Sequence, residues 1–188
     1  FLPAGLSGFY GQAMYAMGEN PSNTVPSDAR HDGDYLGVRV GWQNAAWNVA
    51  LATGTTKYAA GDLRVSNIGL AYTFASLNNL KLTGELYDES LGQVDGRGAL
   101  VGFIWPVGPG DVRFSYAWYE RIPVGDVPKP TTSKLALGYV HNLAQRTAVY
   151  ATVARISNSN GASQALTGAT TSPNSASTGT EFGVRHAF

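Results

Sequence analysis

The chain has no cysteine among its 188 residues, which excludes disulfide scaffolds, thiol catalysis and cysteine-ligated zinc. Charge is scarce as well: 14% of residues are ionic, against roughly 25% in an ordinary soluble domain. The 13 basic and 13 acidic residues cancel, so no global field recruits nucleic acid or an anionic surface. No apolar run reaches the roughly 18 residues a membrane helix needs, and no charged-then-apolar signal opens the chain. Phe1-Leu2-Pro3 begins inside what reads as structured sequence, so the chain is expected to be mature or truncated. A missing helical span says nothing of membrane strands, whose signal is weaker. What is abundant is turn-forming and aromatic: 23 glycines, 10 tyrosines, 7 phenylalanines and 4 tryptophans. With 44% hydrophobic residues, the chain is too apolar for disorder.

Helical periodicity is absent, and period-two alternation recurs along the chain. It predicts ten strands: Ser7–Met17, Asp34–Gln43, Ala46–Gly54, Leu63–Phe74, Leu80–Glu89, Arg97–Pro106, Asp111–Arg121, Ser133–His141, Thr147–Ser157 and Gly179–Phe188. Residues 1–188 then form one all-β domain. Connections alternate between short turns (Asn44-Ala45, Ala75–Asn79, Val107–Gly110, Asn142–Arg146) and long polar loops (Gly18–Gly33, Thr55–Asp62, Ser90–Gly96, Ile122–Thr132, Asn158–Thr178). Every second strand end therefore faces the same side. An antiparallel up-and-down transmembrane β-barrel has that asymmetry.

Strands divide into two faces, because side chains alternate. Leu36, Val38, Val40 and Trp42 oppose Tyr35, Gly37, Arg39, Gly41 and Gln43; Ile68, Leu70, Tyr72 and Phe74 oppose Asn67, Gly69, Ala71 and Thr73. Leu80, Leu82 and Leu86 oppose Lys81, Thr83, Glu85 and Tyr87; Val112, Phe114, Tyr116 and Trp118 oppose Arg113, Ser115, Ala117 and Tyr119. The apolar faces carry large residues and the polar faces mix Gly, Ala and Ser with a few charges, as a lipid-facing wall around a wet lumen requires. The sixth and ninth strands alternate too weakly to be faced. Aromatics gather near strand ends, with Trp42, Trp47, Tyr72, Phe74, Trp105 and Phe188 on the short-turn side and Tyr15, Tyr35, Tyr87 and Trp118 on the long-loop side. Such girdles mark membrane interfaces.

The closing segment Gly-Thr-Glu-Phe-Gly-Val-Arg-His-Ala-Phe resembles the terminal strand of outer-membrane barrels, with Phe182, Val184, His186 and Phe188 on one face. The stretch from Leu137 to Ala151 is similar to the penultimate hairpin of general porins of β-proteobacteria, and Ala99–Val107 and Gly5–Glu19 resemble their counterparts. The resemblance implies a bacterial outer-membrane location among outer-membrane lipid and lipopolysaccharide. It also implies a homotrimer, and a terminal aromatic strand read by the barrel assembly machinery. Members of that family have sixteen strands, so the ten here would be the C-terminal ten. About six strands and the inward-folded third loop, which narrows the pore, would then precede them. A self-contained ten-stranded barrel is the alternative, since an even count from eight upward can close. Short turns and the C-terminus would be periplasmic, and long loops extracellular.

Charges on the polar faces are the candidate functional residues. The bases are Arg39, Lys81, Arg113, Arg121, Lys134 and Arg185; the acids are Glu85, Glu89 and Glu181. The remaining acids, Glu19, Asp28, Asp32, Asp34, Asp62, Asp95, Asp111 and Asp126, read as loop or turn residues. The basic excess favours small anions among permeating hydrophilic solutes, although some bases are expected to pair with Glu85, Glu181 or acids of the third loop. No metal-binding, phosphate-binding or nucleophile motif is present, and no catalytic residue, metal or cofactor is expected. His31 with Asp28, Asp32 and Asp34 is the one cluster that could imitate the acid–histidine rim of a ten-stranded outer-membrane protease. A structural barrel with a blocked, non-conducting lumen is a further alternative.

Overall fold

Alternating chains of this kind pair with their sequence neighbours, because tight turns return each strand beside the last. A computed structural model describes residues 7–19 and 31–188, and in them this is the result. Ten strands form one antiparallel sheet in sequence order. They are β1 (Phe9–Ala16), β2 (Tyr35–Gln43), β3 (Trp47–Thr56), β4 (Leu63–Phe74) and β5 (Leu80–Leu91). The second half comprises β6 (Val94–Val107), β7 (Gly110–Ile122), β8 (Thr131–Ala144), β9 (Thr147–Ser159) and β10 (Ala176–His186). A single turn of 3-10 helix, Ala75–Leu77, fills the connection from β4 to β5. The up-and-down order agrees with the sequence reading. Among the described residues β1 and β10 do not pair with each other, so the sheet has two free edges.

Register decides facing where composition could not. Directly opposed residues share a face, and one ladder row runs Val40, Leu51, Ile68, Leu86, Ala99, Trp118 and Ser133 across β2 to β8. The next row on that face carries Trp42, Val49, Leu70, Gly84, Val101, Tyr116 and Leu135. Val101 and Trp105 of β6 and Val149 and Val153 of β9 thereby join the apolar face, which their own alternation left open. These side chains stand far from any core: Leu36 is 60% exposed, Leu86 61%, Phe182 78%. An apolar face left this bare in a soluble protein would be an aggregation liability; in lipid it is solvated.

A hollow of about 480 Å³ opens on the opposite face, touched by Thr83, Gly102, Arg113, Ala136, Ala148 and Arg185, one residue from each of six consecutive strands. Six strands of a flat sheet would span roughly 24 Å at about 4.8 Å per spacing, too wide to share one hollow of that size. The polar face is therefore the concave one. Its small residues have a second use: Tyr10 lies over Gly41, Tyr35 over Gly37 and Gly54, and Tyr150 over Gly183. The glycines leave space for rings to lie flat on the backbone, an aromatic cover that pins strand register.

Two sequence expectations need correction. The segment Ser90–Gly96 is not a long loop but a two-residue turn at Gly92-Gln93 joining β5 directly to β6. Gly92 takes the left-handed conformation the turn demands, with φ +61, and the flanking polar residues pair by backbone alone. The long-loop aromatic girdle is also thinner than read. Tyr15 and Trp118 are on the convex face, but Tyr35 and Tyr87 pair with Thr56 and Asn67 on the concave one. On the short-turn side the convex aromatics do gather, with ring centroids of Trp47 and Tyr72 4.4 Å apart and of Tyr72 and Phe74 4.5 Å apart.

Candidate functional site

All nine charged residues singled out from sequence lie on the concave face. Lys81, Arg113 and Glu181 share one ladder row, Glu85 and Lys134 a second, Glu89 and Arg121 a third. Arg39 stands opposite Gln12 and Ala52, its guanidinium 5.3 Å from the centre of the Tyr10 ring. Arg185 lies opposite Ala148 near the end of β10 and borders the hollow with Arg113. Asp111, at the start of the strand predicted over Asp111–Arg121 though grouped with the loop and turn acids, joins them: it pairs in register with Pro106 and Val140 and reaches Arg113 at 3.4 Å.

The expected neutralisation by Glu85 or Glu181 does not occur. Among the described residues no base lies within ion-pair distance of Glu85, Glu89 or Glu181. Tyrosines hold two of these acids instead. Tyr150 donates its hydroxyl hydrogen bond to Glu181 at 2.8 Å, and Tyr87 and Tyr119 each donate one to the two oxygens of Glu89. Glycine at 96 makes room for that clamp, since a Cβ there would meet both the Tyr119 hydroxyl and Glu89. The concave face thus carries six bases against four acids, with one weak ion pair among them.

The rim cluster considered as a catalytic imitation makes contacts between the strand ends. His31 Nδ1 is 2.8 Å from Asp34 Oδ2, and Asp34 Oδ1 accepts a hydrogen bond from the Gly18 amide at 2.7 Å. The Gly18 amide and then His31 hold the Asp34 carboxyl below its usual range, and the bonds tie the end of β1 to the start of β2. Asp32 accepts from the Ala59 amide at 2.7 Å; Asp28 lies outside the described residues.

Against known proteins, the sequence pattern described as Gram-negative porin matches residues 1–161. The chain belongs to the Gram-negative porin family. Outer membrane porin protein 32 of Delftia acidovorans is 28% identical over 168 residues, which cover 83% of this chain and 47% of that relative. The porin chain thus spans about half the length of the curated relative it matches. Two solved structures share its fold at 15% identity, each over 95% of this chain. One is a loop L8 deletion mutant of OmpT, an outer membrane protein of Vibrio cholerae (TM-score 0.69, 59% of that chain). The other is in-vitro folded OmpT in its trimer form (TM-score 0.66, 60% of that chain). The place of this porin is the bacterial outer membrane.

Sequence reasoning missed charges on the convex face of the porin. Asp88, Arg97 and Glu120 occupy one row there, and Arg97 donates from Nε and Nη2 to Glu120 Oε2 at 2.9 and 2.7 Å. All three sit toward the ends of β5, β6 and β7 that lie away from the 75–79 and 107–110 turns, where the apolar face gives out. The signal was in the sequence as a break of alternation at those three positions.

Proposed function

We propose that this porin chain forms part of a water-filled channel for passive diffusion of small hydrophilic solutes and ions, with a modest preference for anions. The concave face would be the channel wall. Two free sheet edges, together with coverage of about half of a longer relative, support further N-terminal strands, about six, closing the ring to sixteen. Residues 1–188 would be the C-terminal part of that one barrel domain, and three such barrels would associate as a trimer. Short turns and the C-terminus would face the periplasm and long loops the exterior, with lipid and lipopolysaccharide against the convex face. The terminal row Phe182, Val184, His186 and Phe188 would be read by the assembly machinery. Permeation needs no covalent step and no cofactor.

The observation that carries the anion preference is the concave face's excess of two positive charges, with Glu89 and Glu181 held by tyrosines. A unit charge 10 Å from an ion contributes about 0.4 kcal/mol in water, and 0.1 M salt reduces this to roughly a third. Two net charges therefore give a preference of a few-fold at most, falling as salt rises. Channels reconstituted in planar bilayers under a KCl gradient should show a reversal potential of anionic sign that shrinks toward 1 M. A cationic sign would overturn the proposal.

A further inference from the structure

The connection from β9 to β10, residues 160–175, does not stand away from the sheet. Its Leu166 lies against Gly179, where an added Cβ would come within 2.9 Å of Leu166 Cδ1. Leu166 also donates its amide to Ser177 Oγ at 3.4 Å. Gly179, Ser177 and Ile156 all belong to concave rows, Ser177 opposing Ile156 and Gly179 opposing Ala154. Ile156 is only 7% exposed, Ser177 9% and Ala162 8%. The segment is folded over the concave side of the last two strands.

One side chain makes most of the tie. Asn158, on the concave face of β9 opposite Thr132, uses its whole amide. Its Oδ1 accepts from the Gln164 amide at 3.0 Å and from the Thr132 hydroxyl at 2.9 Å. Its Nδ2 donates to the Gln164 carbonyl at 2.8 Å and to the Ser175 carbonyl at 2.7 Å. Three of these bonds gather both ends of the segment onto one strand position, and the fourth anchors the amide to β8. A fully satisfied amide tolerates no rotation that does not break several bonds at once.

We propose that Asn158 is the positioning residue that pins residues 160–175 across the concave face, and that the pinned segment sets the width of the channel at its long-loop end. The inference rests on the channel reading given above. The segment contains no charged residue, so it narrows the opening without contributing to the sign of selectivity.

The test uses the protein at its native length, with Asn158→Ala and Leu166→Gly, and Leu166→Cys as a reporter in a chain region free of other cysteines. In planar bilayers Asn158→Ala and Leu166→Gly should raise single-channel conductance and leave the sign of the reversal potential unchanged. A merely structural role would instead lower the folded yield at constant conductance. In Leu166→Cys, a maleimide should react roughly tenfold faster or more once Asn158 is replaced, since each net hydrogen bond lost shifts an opening equilibrium several-fold. Asn158→Asp, which keeps the accepted bonds and loses the donated ones, should fall between. Conductance and labelling both unchanged in Asn158→Ala would overturn the proposal. Faster labelling in a protein that never conducts would uphold the pin and sink the channel reading alone.

Discussion

Gly69 and Leu70 are adjacent in β4 and offer the sharpest test of which face meets lipid. Leu70 opposes Val49 and Gly84 on the apolar side, and Gly69 opposes Ala50 and Glu85 on the polar side. Four residues separate Leu70 from Phe74 at the short-turn end of the strand. At about 3.3 Å per residue and a tilt near 40° this places it roughly 10 Å above Phe74, close to the middle of an apolar band about 25 Å tall. An arginine facing lipid at that depth costs about 2–4 kcal/mol, or about 30- to 1,000-fold in the folding equilibrium. At Gly69 nothing lies within 4 Å of an added Cβ, and its backbone is extended. Gly69→Arg should therefore stay within about 0.5 kcal/mol of the unmodified protein, and the added base should strengthen anion preference. Guanidinium unfolding in phospholipid vesicles, followed by the fluorescence of the four tryptophans, measures the stability of Leu70→Arg and Gly69→Arg, and a reversal potential measures the preference. Should Gly69→Arg cost as much as Leu70→Arg, the assignment of faces is wrong.

Asp34→Asn should remove a pH-dependent contact. A carboxyl held below its usual range contributes stability that is complete above the unfolded value, near 3.9, and is lost as pH falls through the lower folded value. Hydrogen exchange at the Gly18 amide, corrected for intrinsic rate, should show protection fading only in that acid window, and weaker protection without that pH dependence in Asp34→Asn, whose Oδ1 still accepts but carries no charge. Glu120→Ala should cost about 1 kcal/mol or less, because an arginine near the interface costs about 0–1 kcal/mol and an exposed pair is worth little; a loss above 3 kcal/mol would put Arg97 at mid-membrane. Phe188 touches His186 with ring centroids 5.0 Å apart and is otherwise bare, so Phe188→Ala should barely change stability in vesicles yet lower the heat-modifiable fraction assembled in cells. Wild-type assembly would contradict its role as a signal. Glu89→Gln should raise anion preference and Tyr119→Phe should not, since only the first changes wall charge; an unchanged reversal potential in Glu89→Gln would remove Glu89 from the permeation path.

Strand existence and facing were legible in the sequence wherever lipid or water enforces a two-residue period. β4 is the extreme case, with both ends as expected. The facing of β6 and β9 was not, because Gly98, Ala99 and Gly102 in one and Ala148, Ala151 and Ala154 in the other put small residues on both faces; only the neighbours' register resolves it. Residues 90–96 failed for a different reason. Beyond the apolar band no side-chain period is needed, so a polar stretch that pairs through its backbone reads like one that does not. The place of the nine charged residues on one face followed from alternation alone. Their partners did not: Tyr87 and Glu89 are two apart on one strand, but the second donor, Tyr119, comes from β7 across the sheet. The fold of residues 160–175 was equally hidden, since a Ser/Thr/Asn-rich segment has the composition of a linker until Asn158 and the Gly179 notch are brought beneath it.

The tyrosines on the concave face explain how a chain of zero net charge presents an excess of free bases. Arg121 shares a row with Glu89 two strands away, roughly 10 Å at the backbone. Long side chains could approach across that gap. A solvated ion pair is worth about 0–1 kcal/mol, whereas each hydroxyl bond to a carboxylate contributes about 1 kcal/mol or more and, from a rigid ring, loses little side-chain entropy. Two such bonds outweigh the competing ion pair and leave Arg121 solvated. At Glu181 a single donor, Tyr150, faces no close base, so one bond suffices. Neutral donors thus fix Glu89 and Glu181 without cancelling any base, although both signs of charge share the same rows of the concave face.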